Sequence, residues 1–213
     1  MNLALIVLSD LPKTMTWALG GGTGLALHLN HRISYDIDIF FEHPKALKEI
    51  IKNPETKKIT PDWQFPGNYL KLVREEGEID FILAADITNS PHKLYNFNGT
   101  QINLETPQEI IAKKIIYRGH NFTLRDTIDL VSTLKVYPNL FTHYVDLFNF
   151  KYNVKSTLQR IQFLKINEAD FDKVIIRFDN DITHNMFDIA INHMENYLAQ
   201  QNTHEPKKCN QHL

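Results

Sequence analysis

The chain has 213 residues, 43% hydrophobic and 23% charged, with a formal net charge of −2 and a pI near 6.5. This balance supports one good core or two small ones, and it offers no bulk electrostatic drive toward DNA or RNA, so any nucleic-acid contact has to come from a local basic cluster. The single cysteine, Cys209, excludes an internal disulfide and lies in a polar tail unsuited to a core or catalytic thiol; a cytoplasmic, reducing setting is expected.

In chain order, residues 1–8 form a short apolar run without a preceding basic segment or a following small-residue cleavage site, and read as a helix or strand, not a signal. No stretch reaches the roughly 18 consecutive apolar residues of a membrane span, so no membrane partner is expected. Residues 14–104 alternate short apolar runs with turn residues, the rhythm of one α/β unit. Within it, residues 16–19 read as a strand broken by Gly20, Gly21 and Gly22, and residues 23–29 as a short buried helix. Residues 35–41 give the clearest strand, with Tyr35, Ile37, Ile39 and Phe41 on one face and Asp36, Asp38 and Phe40 on the other. Pro44 opens a helix to residue 51. Residues 68–73 and 78–84 form a hairpin around Arg74, Glu75, Glu76 and Gly77, and residues 101–104 a further strand.

The pattern changes near residue 105. Thr106 as N-cap, Pro107 in the first turn and Glu109 completing a capping box predict a helix start. Helical stripes follow: Ile110, Ile111, Lys114 and Ile115; then Leu124, Ile128, Val131 and Leu134; then residues 185–200. Phe148, Phe150, Tyr152 and Phe163 read as bundle core, and residues 201–213 as a flexible tail. No internal repeat is present.

The chemistry concentrates in Gly20-Gly21-Gly22-Thr23 and, with thirteen residues between Gly22 and the first aspartate, Asp36-Ile37-Asp38. Two carboxylates one residue apart on a strand share a face. Their mutual repulsion raises their pKa values unless a cation lies between them. Hard oxygen ligands of this kind suit Mg²⁺, or Mn²⁺, which completes its shell with water and substrate phosphates. The glycines let backbone N–H groups approach a phosphate, and a helix starting beside them adds positive partial charge. Metal on one side and amide donors on the other suit phosphoryl or nucleotidyl transfer from an NTP. Asp80, between Ile79 and Phe81 on a neighbouring strand, is the expected third metal ligand and base; Glu78 shares its face as an alternative, and Asp86 is a weaker candidate. Arg32 either pairs with a carboxylate or reaches a phosphate. The ten histidines are scattered, which speaks against zinc, and neither a Gly-x-Ser-x-Gly elbow nor a Walker loop occurs.

Gly21-Gly22-Thr23 followed by His31-Arg32-Ile33-Ser34-Tyr35-Asp36-Ile37-Asp38 resembles the signature of the AbiEii/AbiGii toxin family, within the minimal nucleotidyltransferase superfamily. A second match, Lys114, Arg118, Arg125-Asp126 and Asp129-Leu130, resembles that family's later helical motif; Gly24 departs from it, where Ala is more usual. The resemblance implies an α+β fold: a nucleotidyltransferase domain over residues 1–105, with a mixed β-sheet and flanking helices, then a helical bundle over residues 106–213. It implies Asp36, Asp38 and Asp80 as metal ligands, these with Lys114 as catalytic residues, and Gly21, Gly22, Thr23, Arg32, Lys114, Arg118 and Asp126 as the nucleotide site. The activity implied is transfer of an NMP to RNA or protein by a toxin with a cognate antitoxin; a monomer is expected. An enzyme with a small, antibiotic-type acceptor and a non-enzymatic nucleotide- or partner-binding module are the alternatives.

Overall fold

The computed structural model describes residues 1–167 and 180–203, so the expected C-terminal tail from residue 204, with Cys209, lies outside the described residues. The described residues divide into two compact units, Met1–Ile111 and a helical unit from Ala112 onward. No described helix is long and apolar enough to cross a membrane.

The first unit is built on a seven-stranded mixed sheet: β1 (Trp17–Gly20), β2 (Ile37–Phe41), β3 (Trp63–Gln64), β4 (Tyr69–Arg74), β5 (Gly77–Leu83), β6 (His92–Phe97) and β7 (Thr100–Glu105). Their order is β3-β4-β5-β2-β1-β7-β6. β2 runs antiparallel to β1 and parallel to β5, and β1 runs parallel to β7. Both central strands alternate as expected, with Ile39, Phe41, Ile79 and Phe81 buried against α1 (Asn2–Ser9) and α3 (Pro44–Lys52). Full burial of each such side chain stabilises by roughly 1.5–3 kcal/mol, which holds the opposite, polar face of the same strands in position.

Local signals set the helix ends. α2 (Gly21–Leu29) stops where Asn30 turns left-handed, φ 50°. α3 is capped by His43, whose Nδ1 accepts the Lys45 N–H at 3.1 Å, with Pro44 in the first turn. α4 (Pro54–Ile59) repeats the device with Asn53 accepting the Glu55 N–H at 2.9 Å.

Several expectations need correction. β2 begins at Ile37, and Tyr35 is 64% exposed, so Asp36 sits in the loop entering the strand. The glycine run does not precede α2; Gly21 and Gly22 are its first turn. β6, α4 and the short β3 carry no apolar alternation that announces them. Thr106 does accept the Glu109 N–H at 3.3 Å, but the Thr106 N–H goes to Pro91 O and the Glu109 carboxylate takes the N–H groups of Ile87 and Thr88, at 2.9 and 2.8 Å, and the Thr88 hydroxyl. The two-way capping box occurs instead at Thr123 and Asp126, on α6.

α5 (Pro107–Arg118) contains the division between the units. The second unit continues through α6 (Leu124–Val136), α7 (Phe150–Ile166) and α8 (Asn180–Thr203), linked in part by short 3-10 turns; residues 201–203 are the last turn of α8. α8 packs on α6 and α7. Its aromatic core joins Phe141, Tyr144, Phe150 and Tyr197, with ring centroids 4.8–5.9 Å apart. Phe150 is the one correct member of the expected aromatic core: Phe148, Tyr152 and Phe163 are 89%, 68% and 53% exposed.

Candidate active site

Strand pairing assembles the carboxylates. Asp38 on β2 lies directly opposite Gly20 on β1 and opposite Asp80 on β5, so Asp38 and Asp80 stand side by side on the face turned away from Ile39 and Phe81. Asp36 is fixed by two contacts: its carbonyl accepts the Thr23 hydroxyl, and its Oδ1 accepts the Glu78 N–H at 3.2 Å. The loop carboxylate is thereby tied both to the first turn of α2 and to β5.

The glycines are required by what packs on them. Gly21 has φ +59°, and a Cβ there would fall 1.8 Å from Asp38 Oδ2. A side chain would therefore be strained by the backbone and would displace the aspartate. A Cβ on Gly22 would fall 2.3 Å from Arg32 Nη2, and one on Gly20 2.0 Å from Glu105 Oε2. Arg32 is 5% exposed, donates to Ile33 O at 3.2 Å, and has its Nη2 against Gly22 in the first turn of α2. Gly20 supplies no side-chain cap to α2, and a helix N-terminus of this kind carries the positive partial charge that favours an anion.

Asp80 is the most perturbed carboxyl of the group. Burial pushes its pKa up to about 6, the nearby Asp38 and Glu78 charges add to the rise, and the Lys71 ammonium, 3.1 Å from Oδ2, opposes it. Its Oδ1 is buried and has no hydrogen-bond partner among the described residues. A buried, orphaned carboxylate oxygen beside a second aspartate is the arrangement that a divalent ion satisfies. The residues present fit such an ion.

A pH dependence follows. In the metal-free protein Asp80 binds its proton more tightly folded than unfolded, so this group's contribution to stability falls as pH rises from 3.8 toward about 6. Asp80→Asn is expected to gain on the wild type in thermal unfolding with chelator as pH rises across that window, and to hold a constant lead above it. A constant difference at all pH values would contradict the raised pKa.

Asp86 belongs elsewhere: it groups with Glu105 and Glu109, one oxygen of each lying within 4.8 Å of the others. Both Glu109 oxygens already accept hydrogen bonds from residues 87 and 88, so this group ties that loop to α5. The second unit holds Lys114, whose Nζ is 2.6 Å from Asp126 Oδ1 and 3.1 Å from Asp129 Oδ2, with Arg118 Nη2 3.4 Å from Asp126 Oδ2. Burial would lower the Lys114 pKa, but Asp126 and Asp129 outweigh it and hold the ammonium above its usual range; Asp126, which burial would raise, is held below its usual range by Lys114 and Arg118. Sequence reasoning overlooked Lys71 and Asp129's role as a partner of Lys114.

The model of the AbiEii family, described as a nucleotidyl transferase toxin of type IV toxin–antitoxin systems, matches residues 4–193. The chain belongs to this family. Among solved structures, a candidate nucleotidyltransferase of H. pylori is 16% identical and aligns over 96% of both chains with a TM-score of 0.47. The antibiotic-resistance factor ANT(2'')-Ia is 12% identical over 78% of this chain and 92% of its own, TM-score 0.46. An antigenic nucleotidyltransferase-like protein of Paracoccidioides brasiliensis is 13% identical over 78% and 89%, TM-score 0.46. These likenesses are distant, and no residue role rests on them. None of the curated proteins matches the chain.

Proposed function

We propose that this AbiEii-family chain is a metal-dependent nucleotidyltransferase that moves an NMP from an NTP to RNA. The observation that supports it most is the side-by-side placement of Asp38 and Asp80, with Asp36 tied to the uncapped N-terminus of α2. Asp36, Asp38 and Asp80 would hold Mg²⁺ or Mn²⁺, which supplies charge neutralisation for the triphosphate and the departing pyrophosphate. The N–H groups of Gly21, Gly22 and Thr23 bind phosphate oxygens. The acceptor hydroxyl oxygen bonds to the α-phosphorus as the bond to the β-phosphate oxygen breaks, pyrophosphate leaves, and the hydroxyl proton passes to the Asp80 carboxylate. The reading includes Lys114, Arg118 and Asp126 as residues on which transfer depends.

The RNA acceptor is supported by α7. This helix carries Lys151, Lys155, Arg160 and Lys165 and no acidic residue, in a chain whose net charge is −2. Tyr152 and Phe163 lie eleven positions apart, on one outward helix face. Each is paired with a cation: Lys155 Nζ is 5.8 Å from the Tyr152 centroid and Arg160 Cζ 5.1 Å from that of Phe163. Exposed rings flanked by cations form a stacking platform for unpaired bases. Lys165 also pairs with Asp188 at 2.5 Å and Arg160 Nε donates to Phe122 O at 3.1 Å, so the cation set beside the Tyr152 ring, Lys155, is the one this reading assigns to a phosphate.

The test is incubation of the full chain with each α-labelled NTP, divalent metal and total RNA or protein. Label on RNA supports the reading; label on protein or a small acceptor redirects it, and nucleotide binding without transfer favours a binding module. Tyr152→Ala and Phe163→Ala are each expected to weaken RNA binding about tenfold, the scale of one lost base stack, without altering NTP binding. Unchanged RNA affinity in the double variant would remove α7 from the acceptor site. As in a toxin–antitoxin family, a cognate antitoxin is the proposed cellular counterpart.

A further inference from the structure

Among the described residues, Lys71 is the cation built into the row of carboxylates across β4, β5 and β2. It lies opposite Asp80 in the β4/β5 register, and Asp80 lies opposite Asp38 in the β5/β2 register, so the three side chains form a line across adjacent strands on one sheet face. The Lys71 ammonium is 3.1 Å from Asp80 Oδ2 and also donates to Glu78. Burial would lower its pKa, but Glu78 and Asp80 outweigh burial and raise it, so the group is charged at neutral pH. An ammonium and a divalent ion compete for the same carboxylate oxygens, because each neutralises the same charge and neither tolerates the other at contact distance. Asp80 is thereby divided: one oxygen is held by Lys71, and the other is buried without a hydrogen-bond partner among the described residues.

We propose that Lys71 is a resident counter-ion occupying the place of a second cation on Asp80: without nucleotide the carboxylates take up one divalent ion, and a second enters only as the ammonium leaves. This inference rests on the metal site proposed above. Lys71 offsets part of the Asp80 and Glu78 charge in a partly buried setting, so the site is held together before it is loaded. A two-metal arrangement, with ions about 3.5–4 Å apart, then becomes a state that substrate binding has to create.

The test is Mn²⁺ titration of the full chain without nucleotide, reading free Mn²⁺ by EPR, for the wild type, Lys71→Met and Arg74→Gln. Arg74 is on the same strand but pairs with Glu76 at 3.0 Å, and its variant controls for loss of a distant positive charge. The wild type and Arg74→Gln are expected to bind one Mn²⁺, and Lys71→Met to bind a second at least about tenfold more tightly than the wild type does, the least effect expected from removing a like charge at contact distance. Two equivalent Mn²⁺ in the wild type, or identical isotherms for the wild type and Lys71→Met, would overturn the proposal. Absence of Mn²⁺ binding by every protein would overturn the underlying metal site as well. If Lys71→Met does not fold, reductive methylation of the wild type decides: Lys71 should become reactive, by mass spectrometry, over the Mn²⁺ range that loads the second ion. Reactivity independent of Mn²⁺ would count against it.

Discussion

Asp38→Ala is expected to lower nucleotide transfer by on the order of 10²–10³-fold or more, the loss seen when one preorganised electrostatic partner of a transition state is removed, while the metal-free protein stays as stable as the wild type. Asp38 contributes charge beside Asp80, whose pKa is raised mainly by burial and to a smaller degree by the Asp38 charge. Removing one member relieves that repulsion, and the hydrophobic sides of β2 and β5 are untouched. The stabilisation that added Mn²⁺ gives to the wild type should disappear in the variant, since a ligand stabilises only the state that binds it. Asp36→Ala should lose activity to a similar extent but also stability, by about 0.5–1.5 kcal/mol, because Asp36 Oδ1 accepts the Glu78 N–H. Transfer assays and thermal unfolding with and without Mn²⁺ separate the two. Full transfer by a folded Asp38→Ala protein would overturn the proposed chemistry.

Lys114→Met is expected to be the most destabilising of the changes considered. It leaves Asp126 and Asp129, 1% and 0% exposed, facing each other without the ammonium that now contacts both. Breaking a buried ion pair from one side costs about 3–5 kcal/mol, or roughly 10 °C in Tm for a protein of this size. The pH response identifies the cause. In the wild type Lys114 is held above its usual range and Asp126 below its own, so the network's stability persists from the acid side of neutrality to the alkaline side. In Lys114→Met Arg118 alone still offsets the Asp126 charge, so the loss of the ammonium makes the buried carboxyls take up a proton more readily. The variant should therefore recover stability as pH falls toward the acid side, where the stranded carboxyls take up protons, and its Tm should approach that of the wild type. A gap independent of pH would mean that lost packing of the lysine stem, not stranded charge, is the cost.

Much of the site was legible in the chain itself. Asp36-Ile37-Asp38 alternates with apolar residues, and Asp80 does so between Ile79 and Phe81, so both aspartate strands could be read with their polar faces. The hairpin turn at residues 74–77 was also visible, and pairing Arg74 with Gly77 places Lys71 opposite Asp80 by counting alone. That step was missed because a lysine on a strand reads as solvated surface. The exposed rings of α7 were misassigned because aromatic residues at helical spacing look alike whether they face a core or solvent. Phe150 meets Tyr144 and Tyr197, and Tyr152, two positions on, points outward.

By itself the sequence determined the element types around the candidate site, the alternation that sets Asp38 and Asp80 opposite the buried faces of their strands, and the family, because these depend on spacing along one segment. Only the tertiary structure decided which groups from distant segments meet. It put Glu105 against Gly20 and the Asp38 carboxylate against Gly21, assigned Asp86 to a separate acidic group, and joined Lys114 on α5 to Asp129 on α6. The physical reason is that strand order and helix packing are settled by burying the largest continuous apolar surface, a property of the whole chain. Polar side chains then find partners wherever that burial has left them.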